Sequence, residues 1–527
     1  MQIAGKAGAA ELDDAGNGVP GDVRSGVRSD VGSDVRSAGG ETQCVGRSGV
    51  PDEVPSDVRS GVRSDVGSDV RSAGGETQSV GRSGVPDDVS SDVRGGVRGG
   101  VRGGVHGDAR SGVRGDARDD AGAATVRPTL SVGAGFRAAF RWLAVLTAVA
   151  SIVAVLLVGA ISMGCYAVVA VLGKIRPLRE AYQYISGVYD RLIERLGQKI
   201  LRDARDTPAL RLMVSLTLTA VPIFVAQMIL GKPRLLLVIG FYLSLYGVKF
   251  QRFVRMFSAK HLEAHRRQGY FSDSFHKVFG RYVEFFLGFL YGNVPELDRT
   301  VHVRLHHKEN SGPDDTTSTI GYDRTNRLHF FSYLADNFWT VLGLAPYAYF
   351  TAKGEDENRR RMVWGITLYA IYFAAVFIYN WRLGIAYVLV PLMAMNFIMA
   401  MTAWVQHAFY NEERPEDYFA NTVTVYDEVN FMNEGYHLCH HHRSGLHWTE
   451  MPAHLEQIRD KMRESGSLVF RDMDFMELFV ELTLLRRMDV LAERLVPWEP
   501  MDHAQRLALL EKRTRPARVV SASGLTA

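Results

Sequence analysis

The chain has 527 residues, of which 46% are hydrophobic and 23% are charged, and its formal net charge is +3. So small a net charge gives no electrostatic reason to expect nucleic acid as a partner. The three cysteines, Cys44, Cys165 and Cys439, lie far apart in the sequence. This excludes a disulfide framework and a cysteine-rich zinc or iron–sulfur motif.

The first quarter of the chain is polar and repetitive. Residues 21–55 and 56–90 are nearly identical copies of one 35-residue unit rich in Gly, Ser, Arg and Asp. Valine is the only frequent apolar residue of this unit, so the repeats cannot bury a core. Residues 1–125 are therefore expected to form a disordered tail.

Five apolar stretches follow, and most are long enough to cross a hydrocarbon core of about 30 Å. They span residues 142–172, 212–230, 235–248, 362–380 and 384–405. The first lies in an N-terminal membrane segment at 136–175 and is either one long tilted helix or a tight hairpin. The other four form two predicted helix pairs. The expected fold class is all-α: a multi-pass membrane helical domain at 211–460 with a helical cytoplasmic cap, followed by a C-terminal cytoplasmic helix and tail at 461–527.

The two predicted pairs determine which segments share a side of the membrane. After two crossings in each pair, segments 176–210, 249–361 and 406–527 all face the same way. Segment 176–210 is expected to be a basic amphipathic helix, and positive charge next to a span predicts the cytoplasmic side. The residues that carry this prediction are Lys174, Arg176, Arg179, Arg191, Arg195, Lys199, Arg202 and Arg205.

Nine of the sixteen histidines fall in spaced groups on that predicted side. They are His261 and His265, then His302, His306 and His307, then His407, and finally His437, His440 and His441. Residues three or four apart on a helix share a face, so each group can point imidazoles at one place. Nine imidazoles exceed the needs of one ion, which predicts two metals. Iron is favoured among the metals that suit imidazole, because a histidine site at a membrane surface has a use in dioxygen chemistry.

These three boxes resemble those of the membrane fatty acid desaturase and hydroxylase superfamily. The third box is the most specific, because the segment from Asn433 through Glu434-Gly435-Tyr436 into His437 is similar to the acyl desaturase motif. Two spacings depart from it: the first box has three intervening residues where animal-type acyl-CoA desaturases have four, and the second has three where two are commoner. Both variants occur in the wider superfamily, so the departures weaken only a specific acyl-CoA assignment.

The resemblance implies that all nine histidines are metal ligands, that two Fe ions are the cofactors, and that no other catalytic residue is needed. It implies an oxidoreductase that introduces a double bond into a fatty acyl chain, using O2 and electrons from an external ferredoxin or b-type cytochrome. The acyl lipid would be an acyl-CoA, an acyl carrier conjugate or a phospholipid. Two alternatives remain: a hydroxylase on the same metal site, and a non-catalytic histidine-rich metal-binding membrane protein. Spans almost free of ionisable residues argue against the latter.

Further residues are candidates for supporting roles. A metal-bound imidazole usually donates its other N–H to an acceptor, and acidic or amide residues near the boxes are candidates for that role. These are Glu263, Asp314, Asp315, Asn433 and Glu434. Aromatic and methionine residues of the second pair are expected to line an acyl slot: Tyr369, Tyr372, Phe373, Met393, Met395 and Phe397. Segment 468–495 is expected to be amphipathic and to pack on the cap.

Overall fold

The computed structural model describes residues 134–426 and 430–517, so the predicted tail at 1–125 lies outside the described residues. The described part is helical almost throughout, which confirms the all-α class. Its α-helices, in chain order α1 to α20, are Ala134–Leu172, Arg176–Ile200, Thr207–Leu230, Leu235–Tyr246, Gln251–His265, Asp273–Phe279, Gly288–Leu290, His307–Glu309, Arg327–Val341, Leu344–Ala352, Asp356–Tyr379, Trp381–Gly384, Val390–Gln406, Tyr418–Asn421, His437–His442, Met451–Gln457, Arg459–Ser465, Phe475–Phe479, Met488–Arg494 and His503–Thr514.

Among the described residues, four helical stretches are long and apolar enough to cross a membrane: Trp142–Leu172, Ala204–Leu230, Asp356–Tyr379 and Trp381–Gln406. The first belongs to α1, a single helix of 39 residues, so the structure favours one long helix over a hairpin. It packs against α13 and α9, and the Asn396 amide donates to the Ser151 hydroxyl at 3.0 Å. The last two spans meet at Asn380, whose side chain caps the second by accepting from the Arg382 N–H.

α4, the second helix of the first predicted pair, is shorter than the apolar stretch 235–248 that predicted it. α4 has only 12 residues, or about 18 Å at 1.5 Å per residue, which is less than a hydrocarbon core. It ends at Gly247, which has φ +68, and left-handed residues Lys249 and Phe250 follow. The polar sequence that follows this break therefore forms a separate helix, α5, rather than an extension of α4. This break positions α5, which carries the first histidine box.

The cap is built from the helices that carry the boxes and from the C-terminal region. One small parallel sheet joins strand β1 (Thr424–Tyr426) to β2 (Val469–Arg471). Segment 468–495, expected to be amphipathic and to pack on the cap, comprises β2, α18, a π-helical turn and α19. Within it β2 pairs with β1 of the cap, while α18 lies against the membrane helix α13.

Candidate metal centre

The first and second boxes lie on neighbouring helices that are joined by a buried ion pair. His261 and His265 lie one turn apart on α5, with ring centroids 5.4 Å from each other. The ammonium of Lys260 contacts the Asp298 carboxylate at 3.1 Å and donates to the Asn293 side chain at 2.8 Å. Lys260 and Asp298 are almost fully buried, so removing either partner would leave an uncompensated charge in the interior.

The second box lies on a π-helix, Asp298–His306, and this explains its unusual spacing. A π-helix joins residue i to residue i+5, so each turn takes one more residue than an α-helix. The backbone N–H of His307 donates to the carbonyl of His302, five residues earlier. Their two Nε2 atoms are consequently only 3.0 Å apart. The wider turn thus accommodates the extra residue while both imidazoles keep a common face.

The third box lies on α15, and His407 directly follows α13. On α15, His437 and His441 are four residues apart and their Nε2 atoms approach to 3.1 Å. His440 lies on another face of the same helix and contacts the first two boxes instead. Cys439 is fully buried, and it is not a member of either histidine group described below.

All nine predicted histidines converge, and they form two adjacent groups. The five-histidine group comprises His261, His265, His302, His307 and His440. The four-histidine group comprises His306, His407, His437 and His441. The groups adjoin each other, with the rings of His307 and His441 4.5 Å apart.

The nitrogen spacing in both groups fits metal coordination. A metal–nitrogen bond of about 2.0–2.1 Å separates neighbouring ligand nitrogens by about 2.9 Å in an octahedron and about 3.4 Å in a tetrahedron. In the five-histidine group, Nε2 of His440 lies 2.9, 3.1 and 3.0 Å from Nε2 of His261, His302 and His307. In the four-histidine group, Nε2 of His407 lies 3.2 Å from that of His306 and 3.4 Å from that of His437.

Hydrogen bonding between imidazoles does not account for this arrangement. One ring nitrogen either donates one proton or accepts with one lone pair, so it cannot bond three other nitrogens at once. Nε2 of His440 nevertheless has three nitrogen neighbours, and the buried Nε2 of His265 has no hydrogen-bond partner. A cation among these lone pairs would satisfy every one of them. The residues present therefore fit two metal ions.

Burial keeps these imidazoles in the neutral form that a metal requires. Burial lowers the pKa of His261 to about 4, even though the nearby Asp298 carboxylate acts in the opposite direction. Burial, with the charge of His306, lowers the pKa of His407 to about 3. Both rings are thus neutral at physiological pH and offer lone pairs.

Outer hydrogen bonds orient three members of the four-histidine group. Nδ1 of His306 contacts the Asp315 carboxylate at 2.7 Å, and Asp315 also accepts the Ser311 N–H at 2.9 Å. Nδ1 of His407 faces the carbonyl of Asn421 at 3.1 Å, and Nδ1 of His441 faces the amide oxygen of Asn310 at 3.3 Å. The sequence suggested only Asp315 among these partners. Asn310 has a left-handed backbone, with φ +46, a conformation that asparagine tolerates better than most residues.

The other four residues proposed as outer partners lie elsewhere. Asp314 pairs with Lys353 at 2.9 Å. Glu263 is buried and makes no hydrogen bond, and burial raises its pKa to about 8. Asn433 donates to the carbonyl of Trp448, and Glu434 accepts from the Ser258 hydroxyl.

A small cavity touches both histidine groups. His261 and His440 line it from one group and His437 from the other, while Leu262, Met432 and Met451 supply apolar walls, and Ser258, Asn433 and Glu434 complete it. The six aromatic and methionine residues expected from the second helix pair are not among those that line this cavity. The acyl slot predicted from the sequence is lined by membrane helices, whereas this cavity lies between α5 and the third-box segment.

Comparison with known proteins identifies the domain that holds these groups. The profile of the family described as fatty acid desaturase matches residues 233–472, a range that contains all nine histidines. No curated protein and no solved structure shows significant similarity to the chain. The match, together with the four apolar helices, identifies residues 233–472 as a domain of the membrane fatty acid desaturase and hydroxylase superfamily.

Proposed function

We propose that the protein is a membrane-bound di-iron oxidoreductase that introduces a double bond into a fatty acyl chain. The observation that carries the proposal is the spacing of the Nε2 atoms around His440 and around His407, which suits two metal ions in contact with one cavity. The family match supplies the substrate class, an acyl lipid.

The two histidine groups would each hold one ion. The five-histidine group would hold one iron and the four-histidine group the other. Imidazole binds both iron and zinc, but only iron changes its oxidation state. Zinc therefore could not support oxidation of an unactivated methylene. When bound, the iron pair would activate O2. The overall reaction balances when two protons and two electrons leave the acyl chain, two electrons come from the donor and two protons from solvent, and O2 becomes two waters.

The chain's own residues bind and orient the substrate. Leu262, Met432 and Met451 form an apolar wall next to histidines of both groups. Each methylene buried against such a wall contributes about 0.8 kcal/mol, so apolar contact would help to hold an acyl chain there. The position of the acyl chain along this wall would then determine which pair of methylenes faces the metals.

We also propose that the site faces the cytoplasm and takes electrons from a separate protein. The basic residues of α2 and its flanks, which include Arg191, Arg195 and Lys199, favour the cytoplasmic side. The cap lies on the side of α2, because Arg205, between α2 and α3, contacts Glu450 of the cap at 2.8 Å. A ferredoxin or a b-type cytochrome is the expected donor, since the sequence contains no haem-binding, iron–sulfur or dinucleotide-binding motif of its own.

Two measurements test the proposal. Metal analysis of the purified full-length protein should find two iron ions per chain, and zinc in their place would contradict it. Expression in a desaturase-deficient host should yield a new cis double bond in the host's acyl lipids. An alcohol instead of an alkene would reassign the same metal site to a hydroxylase, and an unchanged lipid profile with a competent electron donor present would favour a non-catalytic metal-binding protein.

A further inference from the structure

An open groove lies on the outer side of the cavity that touches the metal centre. It has a volume of about 440 Å³ and is formed by α2, the beginning of α3, α5 and the segment before the third box. Its polar lining includes Glu194, Thr207, Arg211 and Arg255, and Phe431 closes one side. A volume of this size suits a small-molecule group rather than a single ion.

Arg211 and Arg255 line this groove, Arg252 lies one turn before Arg255 on α5, and there are too few carboxylates to neutralise the three. Arg211 pairs with Asp190 at 3.0 Å. Arg252 donates to the Ser215 hydroxyl, and the guanidinium of Arg255 lies over the Phe431 ring at 5.2 Å. Among the residues that the structure describes, no carboxylate lies within 4.0 Å of either Arg252 or Arg255.

The pKa shifts of Arg252 and Arg255 agree with the shortage of neighbouring carboxylates. Burial lowers the pKa of Arg252, and burial together with the charges of Arg211 and Arg252 lowers the pKa of Arg255. The three positive charges therefore lie close enough to repel one another. An arginine remains charged at physiological pH, so the groove retains a surplus of positive charge that an anion would relieve.

The groove leads to the metal centre along a single helix. Arg255, Ser258 and His261 follow one another at three-residue intervals on α5, so they lie on neighbouring parts of one face. Ser258 and His261 line the inner cavity, while Phe431 lines the groove and its neighbour Met432 lines the cavity. Six residues at 1.5 Å each place Arg255 about 9 Å along the helix from His261.

We propose that this groove binds the phosphate head group of the acyl substrate, with Arg255 as its principal contact and Arg211 and Arg252 in support. This assignment rests on the proposed function for its acyl chain, but it is a separate statement about how the head is recognised. Guanidinium groups bind phosphate oxygens in pairs through parallel hydrogen bonds. Glu194 is the one acidic residue that lines the groove, and it opposes the anion.

The test measures head-group binding independently of turnover. Full-length protein in detergent is titrated calorimetrically with coenzyme A and, separately, with glycerophosphocholine, which are the head groups of an acyl thioester and of a phospholipid. We expect one of the two to bind, and the one that binds identifies the source of the phosphate. Binding should weaken at least about tenfold in Arg255→Gln, which removes a charge-assisted hydrogen bond, and less in Arg252→Gln, which removes a nearby charge. It should also weaken as salt is raised.

Two matched variants separate a specific site from general charge. Arg195→Gln removes the same charge from an exposed position on α2 and should leave binding unchanged. Glu194→Gln removes the opposing charge and should strengthen binding severalfold. Equal binding in wild type and in the arginine variants, or binding of neither probe, would overturn the phosphate site even if the protein desaturates some acyl lipid. Arginine-dependent binding in a protein that lacks oxidase activity would preserve the site and refute the proposed function.

Discussion

The two histidine groups of the metal centre are held in different ways. In the four-histidine group, His306, His407 and His441 each have an outer partner: Asp315, the Asn421 carbonyl and Asn310. In the five-histidine group, the buried Nδ1 of His440 has no hydrogen-bond partner, and among the described residues no protein group accepts from the outer nitrogens of the other four. Outer partners fix the orientation of an imidazole and raise its basicity. The four-histidine group is thus preorganised by protein, whereas the five-histidine group would depend on a bound metal for order.

The largest expected effect comes from breaking the less supported group at its centre. His440→Ala removes the nitrogen that approaches three others, so it should remove one of the two bound metals and lower activity more than about 100-fold, beyond the usual cost of losing an outer partner. Metal analysis and lipid profiling measure the two effects. His442→Ala is the control, because His442 contacts His454 at 2.9 Å instead of either group. Full metal content in His440→Ala would contradict the assignment.

A smaller effect is expected from weakening the better supported group. Asp315→Asn leaves His306 without its carboxylate and should lower metal affinity or activity about 10- to 100-fold. Asp314→Asn is a matched control one residue away, because Asp314 pairs with Lys353 and not with a histidine. Competition with a metal chelator measures the affinities. If the two variants behave alike, Asp315 has no special relation to the metal.

The comparison also predicts an order of metal release. A chelator should strip the wild-type protein in two phases, because the five-histidine group has no outer partner to hold its rings in place. Asp315→Asn should accelerate the slow phase severalfold and leave the fast phase unchanged. Release in one phase, or acceleration of the fast phase alone, would show that the outer hydrogen bonds do not distinguish the groups. Release is followed by absorbance of the chelator complex after mixing.

The spacing of residues within each box predicts much of the site from the sequence, whereas the rest depends on contacts between distant parts of the chain. The positions of His261 and His265, or of His437 and His441, follow from a helical repeat, so their convergence could be predicted from the sequence. The break after α4 could not, because Gly247, Lys249 and Phe250 adopt left-handed conformations where the helical pattern continues. The partners Asn310 and Asn421 were also hidden, since Asn310 meets a ring 131 residues away and Asn421 contributes a backbone carbonyl, which every residue has.

The smallest expected effect concerns the π-helix that serves both groups. His302 and His307 face the five-histidine group while His306, between them, faces the other, and the i to i+5 turn accommodates one extra residue between them. Deleting Val303 would shorten the second box to the commoner spacing and should return the turn to α-helical geometry, with His306 and His307 then three and four residues after His302. Metal content should remain at two ions and activity should fall by no more than about tenfold, since ligand orientation changes slightly rather than being lost. Deleting Leu305, which is fully buried, removes the same length but also a core side chain, so it should cost stability as well. Loss of a metal in the Val303 deletion, with the fold intact by circular dichroism, would mean that the π-turn is required for coordination instead of merely accommodating one extra residue.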